Sequence, residues 1–126
     1  MGKKIVIFTL LLIIIAAALV EYFYVDGASA RLTVALEDVQ TALDAEDTAQ
    51  AKAAARAFNG QWEKEKQRLE ALYDHGEIDV ISATARRIEV FCDGEDTVNA
   101  LAEVSAGMFY VTHLREMIGV RWENIF

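Results

Sequence analysis

The longest apolar run in the chain lies close to its start. Residues 5–20 contain one polar side chain, Thr9, and the segment stays largely apolar as far as residue 25. A helix over residues 5–25 would be about 31 Å long, which matches a bilayer hydrocarbon core of about 30 Å. The acid Glu21 falls near the end of the segment, where a charge costs less than at the bilayer centre. The pattern therefore predicts a transmembrane anchor over residues 5–25, with the lipid bilayer as its partner.

The charges on either side of this segment predict its orientation. Lys3 and Lys4 precede it, whereas acids follow it. An excess of basic residues normally remains in the cytoplasm. We therefore expect residues 1–4 to form a cytoplasmic stub and residues 26–126 to form a domain outside the cell membrane, on a single-pass anchor.

A cleaved signal peptide is the alternative interpretation of the same segment. The tripeptide Ala28-Ser29-Ala30 fits the small-x-small pattern that precedes a cleavage site. Against cleavage, the apolar run is long for a signal peptide, and residues 22–24 are aromatic, as at a membrane interface. Both alternatives export the domain, and the sequence alone leaves cleavage after Ala30 open.

Beyond the anchor, apolar residues recur every three or four positions in four stretches, a spacing typical of one face of an amphipathic helix. The predicted apolar faces are, in chain order, Leu32, Leu36, Val39 and Leu43; Ala51, Ala55, Phe58, Trp62, Leu69 and Leu72; Ile78, Ile81, Ala85, Ile88 and Cys92; and Val98, Leu101, Ser105, Met108, Phe109 and Thr112. Glu65 is the polar residue that interrupts the second face. The first of these helices is either separate from the anchor or continuous with it.

Two similar segments mark the turns between these helices. Residues 46–51 and 95–100 are near-copies that lie 49 positions apart, and each opens the second helix of a pair with an aspartate N-cap. Short connections make consecutive helices antiparallel neighbours. The predicted fold is therefore all-α, with the transmembrane helix followed by a small antiparallel four-helix bundle. Two stacked helical-hairpin repeats are the alternative.

The composition of the chain excludes some classes of partner and activity. The formal net charge is −8, and from residue 26 onward 19 acidic and 10 basic residues give −9, so nucleic acid is excluded as a predicted partner. Cys92 is the one cysteine, so no disulfide forms within the chain, and proline is absent, which favours uninterrupted helices. No catalytic motif is present, and we predict neither an enzyme nor a cofactor.

Several short segments resemble the DUF4363 family. They are Trp62-Glu63-Lys64, the stretch Asp74-His75-x-Glu77-Ile78-Asp79, His113, and the ending Glu123-Asn124-Ile125-Phe126. The resemblance covers nearly the whole chain. It implies a short membrane-anchored helical protein of an endospore-forming Gram-positive bacterium, with no assigned activity. The alanine-rich residues 49–57 depart from the pattern, so no relative's surface is carried over.

The densest group of metal-ligand side chains surrounds His75. The metal candidates are His75, Asp79, His113 and Glu116. Di-metal bundles use a Glu-x-x-His spacing, whereas Leu72 and Tyr110 occupy the required glutamate positions here. The alternative is that these residues have a structural role, in which the acids in the first turn of the third helix complement the helix dipole.

The remaining candidates concern binding to another protein. The predicted interaction residues are Asp74, His75, Glu77, Trp122, Asn124, Ile125 and Phe126. The large apolar side chains at the end of the chain either cap the bundle or dock onto a partner or the membrane surface.

Together these features predict a membrane-anchored extracytoplasmic interaction or accessory protein. It would act through another membrane or envelope protein, since a four-residue cytoplasmic stub is too short for an output module. A homo-oligomer is left open. The alternative function is an exported ligand- or metal-binding sensor centred on His75 and His113.

Overall fold

The structure, a computed structural model, describes residues 1–125, and of residues 121, 122 and 125 it describes the backbone alone. These residues form the helices α1 (Gly2–Asp44), α2 (Thr48–Leu69), α3 (His75–Asp93) and α4 (Thr97–Ile125).

Helix α1 runs without a break from the apolar segment into the folded domain. It is 43 residues long, which corresponds to about 64 Å. Residues 1–14 are all exposed, whereas from Val25 onward one face of the helix is buried. The chain contains no proline to interrupt the helix. The first helix of the domain is therefore continuous with the apolar segment.

The distal half of α1 completes an antiparallel bundle. It packs against α2 and α4, and α3 packs against the same two helices, so α1 and α3 lie at opposite corners of a square. The predicted all-α fold and four-helix bundle are confirmed. The bundle takes its first helix from the same helix as the predicted anchor, rather than from a separate one.

The core is centred on two aromatic residues of α2, Phe58 and Trp62, which are fully buried. The indole Nε1–H of Trp62 donates a hydrogen bond of 2.9 Å to the Ser82 hydroxyl of α3. The hydroxyl of Tyr73 donates a 2.6 Å hydrogen bond to the backbone carbonyl of Leu114. Each aromatic polar atom thus finds a partner, as buried Trp and Tyr usually require.

The apolar faces predicted for the first three helices are confirmed, with one exception. Helix α2 ends at Leu69, so Leu72 falls in the connection to α3 and is half-buried. Glu65, the polar residue within the second face, is buried with its neighbours.

The face predicted for α4 is wrong. Of its six residues none is buried: Leu101 and Met108 are half-buried, and Val98, Ser105, Phe109 and Thr112 are exposed. Val98 and Phe109 are 78% and 67% exposed. A Cβ added at Gly107 would lie 3.2 Å from Leu36 Cδ2, so α1 and α4 approach closely where a side chain is missing. The first half of α4 therefore turns small and medium residues inward, whereas large apolar residues, Leu114 and Ile118, are buried in its second half. Among its described side chains, the buried positions are Ala100, Val104, Gly107, Val111, Leu114 and Ile118.

The predicted N-caps of α2 and α4 are confirmed. Asp47 Oδ1 accepts the backbone N–H of Gln50 at 3.1 Å, and Asp96 Oδ1 accepts that of Asn99 at 3.2 Å. Each cap satisfies one of the backbone donors that a helix start leaves without an intrahelical partner.

The two connections that precede these caps share a left-handed residue. Glu46 has φ 55° and Glu95 has φ 56°. The glycine of the second connection, Gly94, instead has φ −81°. A glutamate, not the glycine, therefore adopts the conformation that glycine accommodates most readily.

Candidate functional site

Polar contacts fix how α4 runs alongside α1. The guanidinium Nε of Arg115 lies 2.8 Å from Asp26 Oδ1. Four residues earlier in α4, the carbonyl of Val111 accepts a hydrogen bond of 3.3 Å from the Ser29 hydroxyl. Because the helices are antiparallel, the residues of α4 after Arg115 lie beside the part of α1 that precedes Asp26.

The end of α4 therefore reaches the outer end of the predicted anchor. Leu19, Tyr22 and Phe23 of α1 line one cavity together with Gly119 and Glu123 of α4. No flexible stalk separates the bundle from the apolar half of α1 within the described residues.

A buried carboxylate joins α1 and α2 in the same region. The side chain of Glu65 is 8% exposed and lies 2.8 Å from the Nε of Arg31. It also accepts hydrogen bonds from the Tyr24 hydroxyl and, at 2.9 Å, from the Gln61 amide. An ionised carboxylate is an acceptor only, so these donors match its chemistry.

The surroundings of Glu65 keep it charged. Burial raises the pKa of its carboxyl, but hydrogen bonds from Arg31 and Tyr24 and the positive charge of Arg31 outweigh burial and lower the pKa overall. Glu65 is therefore ionised at neutral pH, although it lies within the apolar face of α2.

Two further cations of α2 lie beside this network. The guanidinium of Arg68 sits over the ring of Tyr24, 5.3 Å from its centroid, an arrangement typical of a cation–π contact. Lys64 lines the same groove. We call this groove the α1–α2 cleft; its lining residues are Tyr24, Arg31, Gln61, Lys64, Glu65 and Arg68.

The α1–α2 cleft is not among the sites predicted from the sequence. The available signal was Glu65, an acid within an apolar helical face. Its partner Arg31 is 34 residues away, and their pairing depends on the register between two helices.

The acidic residues around His75 gather at the start of α3. Asp74 is its N-cap residue, without a side-chain capping hydrogen bond, and His75 is its first residue. Glu77 lies in the first turn, where a negative charge complements the helix dipole. His75 and Asp79 are exposed.

His113 is held in a different environment. Its ring stacks on that of Phe109, with the centroids 6.1 Å apart and the planes 4° from parallel. It lines a cavity with Glu116, Met117 and Val120. Among the described residues no group of three or more His, Cys, Asp or Glu side chains is placed to hold a metal ion, so the metal candidates are not assembled into a site.

The interaction residues predicted at the end of the chain are only partly described. Asn124 is exposed. The side chains of Trp122 and Ile125, and the whole of Phe126, lie outside the described residues, so their predicted role in docking stays a prediction.

Cys92 is buried in the core of the bundle. Burial, with a smaller contribution from the negative charge of Asp93, raises the pKa of its thiol. The thiol is therefore protonated at neutral pH and a weak nucleophile.

Comparison with known proteins gives one match. Residues 19–125 match the family described as Domain of unknown function (DUF4363). No curated protein and no solved structure matches the chain. The family match begins within α1, at the residue that shares a cavity with Glu123 of α4. It thus includes the whole bundle and excludes most of the exposed apolar half of α1.

Proposed function

The chain belongs to the DUF4363 family, whose function is unassigned, and on that premise we propose that it is a single-pass membrane protein whose bundle binds a partner outside the cell membrane. The partner is another membrane or envelope protein, and the role is one of interaction rather than catalysis.

The observation that carries this proposal is the contrast between the two halves of α1. The helix is long and apolar enough to cross a membrane, and none of its most apolar 18-residue window is buried in the domain. An exposed apolar surface of this size is unfavourable in water and favourable in lipid. Lys3 and Lys4 support the orientation with the bundle outside.

The structure also supports retention of the anchor over cleavage after Ala30. Ala28 and Ser29 are buried, and the Ser29 hydroxyl bonds to α4. Cleavage there would remove them, as well as Val25, from the core and Tyr24 from Glu65.

The outer face of α4 supplies a surface for the partner. Phe109 is exposed, packs edge-on against Tyr110 and stacks on His113. Exposed positions of this helix from Val98 to Thr112 carry no charged residue, although the chain as a whole has a net charge of −8. Aromatic residues on an uncharged surface are typical of protein interfaces.

Cysteine labelling of intact cells tests the location and orientation. A membrane-impermeant maleimide should label Val98→Cys without permeabilisation, because position 98 is exposed on the bundle. Gly2→Cys, in the predicted cytoplasmic stub, should be labelled only after permeabilisation. The wild-type chain is the control, since its one cysteine is buried. Recovery of the protein in the soluble fraction, or the opposite labelling pattern, would contradict the proposal.

Site-specific photocrosslinking tests the interaction role. A photoreactive phenylalanine analogue at Phe109 should give an adduct with a second membrane or envelope protein. The same analogue at Ala53, exposed on α2, is the control. Adducts of twice the chain's mass would indicate self-association instead, and monomer alone at both positions would count against a partner at this face.

A further inference from the structure

Helix α2 carries the same pair of cations twice. Lys52 and Arg56 are four residues apart near its start, and Lys64 and Arg68 repeat that spacing near its end. Residues four apart share one helix face, so each pair forms a local cationic patch.

The two pairs have different partners. Lys52 lies 3.3 Å from a Glu95 carboxylate oxygen, and Arg56 lies 3.3 Å from one of Asp93. Lys64 and Arg68 form no ion pair with a carboxylate among the described residues. Their cleft holds Arg31 as well, and its one carboxylate, Glu65, is occupied by three donors. Three cations and one acid leave an excess of two positive charges in a chain of net charge −8.

With the predicted anchor across the bilayer, the α1–α2 cleft would lie at the height of the membrane surface. Arg68 sits over the ring of Tyr24. Tyr24 lies four residues after the apolar run 5–20 and one residue before the end of the predicted anchor at residue 25. Whether the hydrocarbon layer ends at residue 20 or 25, the backbone of Tyr24 is within about 6 Å of its edge, and the Arg68 guanidinium contacts the Tyr24 ring. The headgroup layer on each side of a bilayer is about 5–8 Å thick.

The position of Arg31 fits the same height. Its side chain is 51% exposed although its Nε bonds to Glu65. A Cβ added at Gly27 would lie 3.1 Å from Arg31 Nη1. The guanidinium therefore extends back along α1, toward the predicted anchor, and occupies the space that the missing side chain of Gly27 leaves. The pairing with Glu65 orients the guanidinium and leaves its other N–H groups available.

We propose that the α1–α2 cleft binds the phosphate group of an anionic phospholipid in the outer leaflet. Guanidinium groups bind phosphate oxygens through paired N–H donors, and the Lys64 ammonium adds a point charge. The proposal rests on the membrane anchoring proposed above, which places phospholipid headgroups beside the cleft.

The test uses the full chain in detergent micelles, so that it does not depend on membrane insertion in the cell. Phosphatidylglycerol, phosphatidylcholine and inorganic phosphate are titrated separately, and binding is measured by isothermal calorimetry and by the rise in the unfolding temperature. The test variant is Lys64→Gln/Arg68→Gln, which leaves every hydrogen bond of Glu65 in place. The matched control is Lys52→Gln/Arg56→Gln, with the same charge change, spacing and helix.

We expect phosphatidylglycerol to bind the wild type and the control equally, and the test variant about ten-fold or more weakly. Phosphatidylcholine should bind at least ten-fold more weakly than phosphatidylglycerol to the wild type. An equal loss in both variants would overturn the site, since it would show a general charge effect. Tight binding of inorganic phosphate without phosphatidylglycerol would overturn the lipid as its source. Failure of cysteine labelling in cells, with this binding intact, would reject the proposed location and leave the phosphate site standing.

Discussion

The hairpins α1–α2 and α3–α4 place their buried residues at equivalent positions, 49 residues apart, but fill them differently. Eleven pairs of equivalent positions are buried in both hairpins among the described side chains. Between α2 and α4, three of these pairs differ sharply: Phe58 against Gly107, Trp62 against Val111, and Glu65 against Leu114. The pairs are 29/78, 32/81, 36/85, 39/88, 43/92, 51/100, 55/104, 58/107, 62/111, 65/114 and 69/118. The backbone pattern is therefore shared, whereas bulk and charge are concentrated in α2.

The largest effect is expected from exchanging the charged and apolar members of one pair. Leu114→Glu places a carboxylate in the core without the donors that surround Glu65, so we expect a loss of about 4–5 kcal/mol in the free energy of unfolding. Glu65→Leu should cost less, about 1–3 kcal/mol, because it removes the buried charge but leaves the donors of Tyr24 and Arg31 without their acceptor. Urea denaturation of the full chain in micelles, followed by circular dichroism, measures both. Equal losses would show that position 65 does not depend on its partners.

The second test exchanges bulk between the hairpins. Phe58→Ala should cost about 3–4 kcal/mol, because a fully buried ring is removed. Gly107→Ala should cost about 1 kcal/mol despite the better helix propensity of alanine, because the new Cβ would meet buried Leu36 at 3.2 Å. Gly60→Ala is the control, since a Cβ there meets nothing within 4 Å and should be stabilising. A stabilised Gly107→Ala variant would mean that α1 and α4 can separate at no cost.

The third test uses pH to isolate the charge of Glu65. Its pKa is lowered from 4.5 in the folded chain, so the stability it contributes is present above that value and is lost as pH falls through the folded pKa. Glu65→Gln should cost about 1–2 kcal/mol at pH 7. The difference between wild type and variant should be constant above about pH 5 and shrink below it. Denaturation series at several pH values measure that difference, and a difference that grew on acidification would contradict the ionised pairing.

The fourth test asks whether the two connections are energetically equivalent. Asp47→Ala and Asp96→Ala each remove an N-cap acceptor at nearly the same distance. Each should cost about 1 kcal/mol, with the two losses within about 0.5 kcal/mol of each other. Thermal unfolding of both variants checks this. Asp38→Ala, exposed on α1, serves as a charge control.

The smallest effect concerns the left-handed glutamates. Glu46→Gly should raise stability by about 0.5 kcal/mol, because glycine adopts φ values near 55° without a Cβ penalty. Glu95→Gly should raise it by less, because it also removes the exposed ion pair with Lys52. Thermal unfolding measures both, and a loss in Glu46→Gly would mean that the side chain itself stabilises the turn.

Much of this fold follows from sequence periodicity. In the bundle part of α1 and in α3, the residues predicted from the spacing, such as Leu32 and Ile81, are buried, so spacing alone identifies the face. In α4 it does not, because two apolar stripes compete. The predicted stripe contains the large residue Phe109 but also Ser105 and Thr112. The buried stripe has no polar side chain and includes Gly107, where Leu36 fills the space that glycine leaves.

The α1–α2 cleft shows the other limit of sequence reasoning. Glu65 is visible as an exception within an apolar face, but nothing local identifies Arg31 and Tyr24 as its partners. Their approach depends on how two helices are aligned along their length, which a single sequence does not specify. Likewise, Lys52 has an acidic partner, Glu95, whereas Lys64 forms no ion pair in the part of the chain that the structure describes, and this difference depends on which acids the neighbouring helix brings near each.

Because α1 is unbroken, the direction in which the bundle faces depends on the rotation of the apolar half of α1 about the helix axis. An α-helix turns about 100° per residue, so one residue added before residue 19 would swing the outer face of α4 through more than a quarter of a circle and lift it only about 1.5 Å. A partner that binds the lipid-facing half of α1 would therefore also fix the direction in which Phe109 and its neighbours point. Rotation of that half of the helix about its axis would rotate the bundle by the same angle.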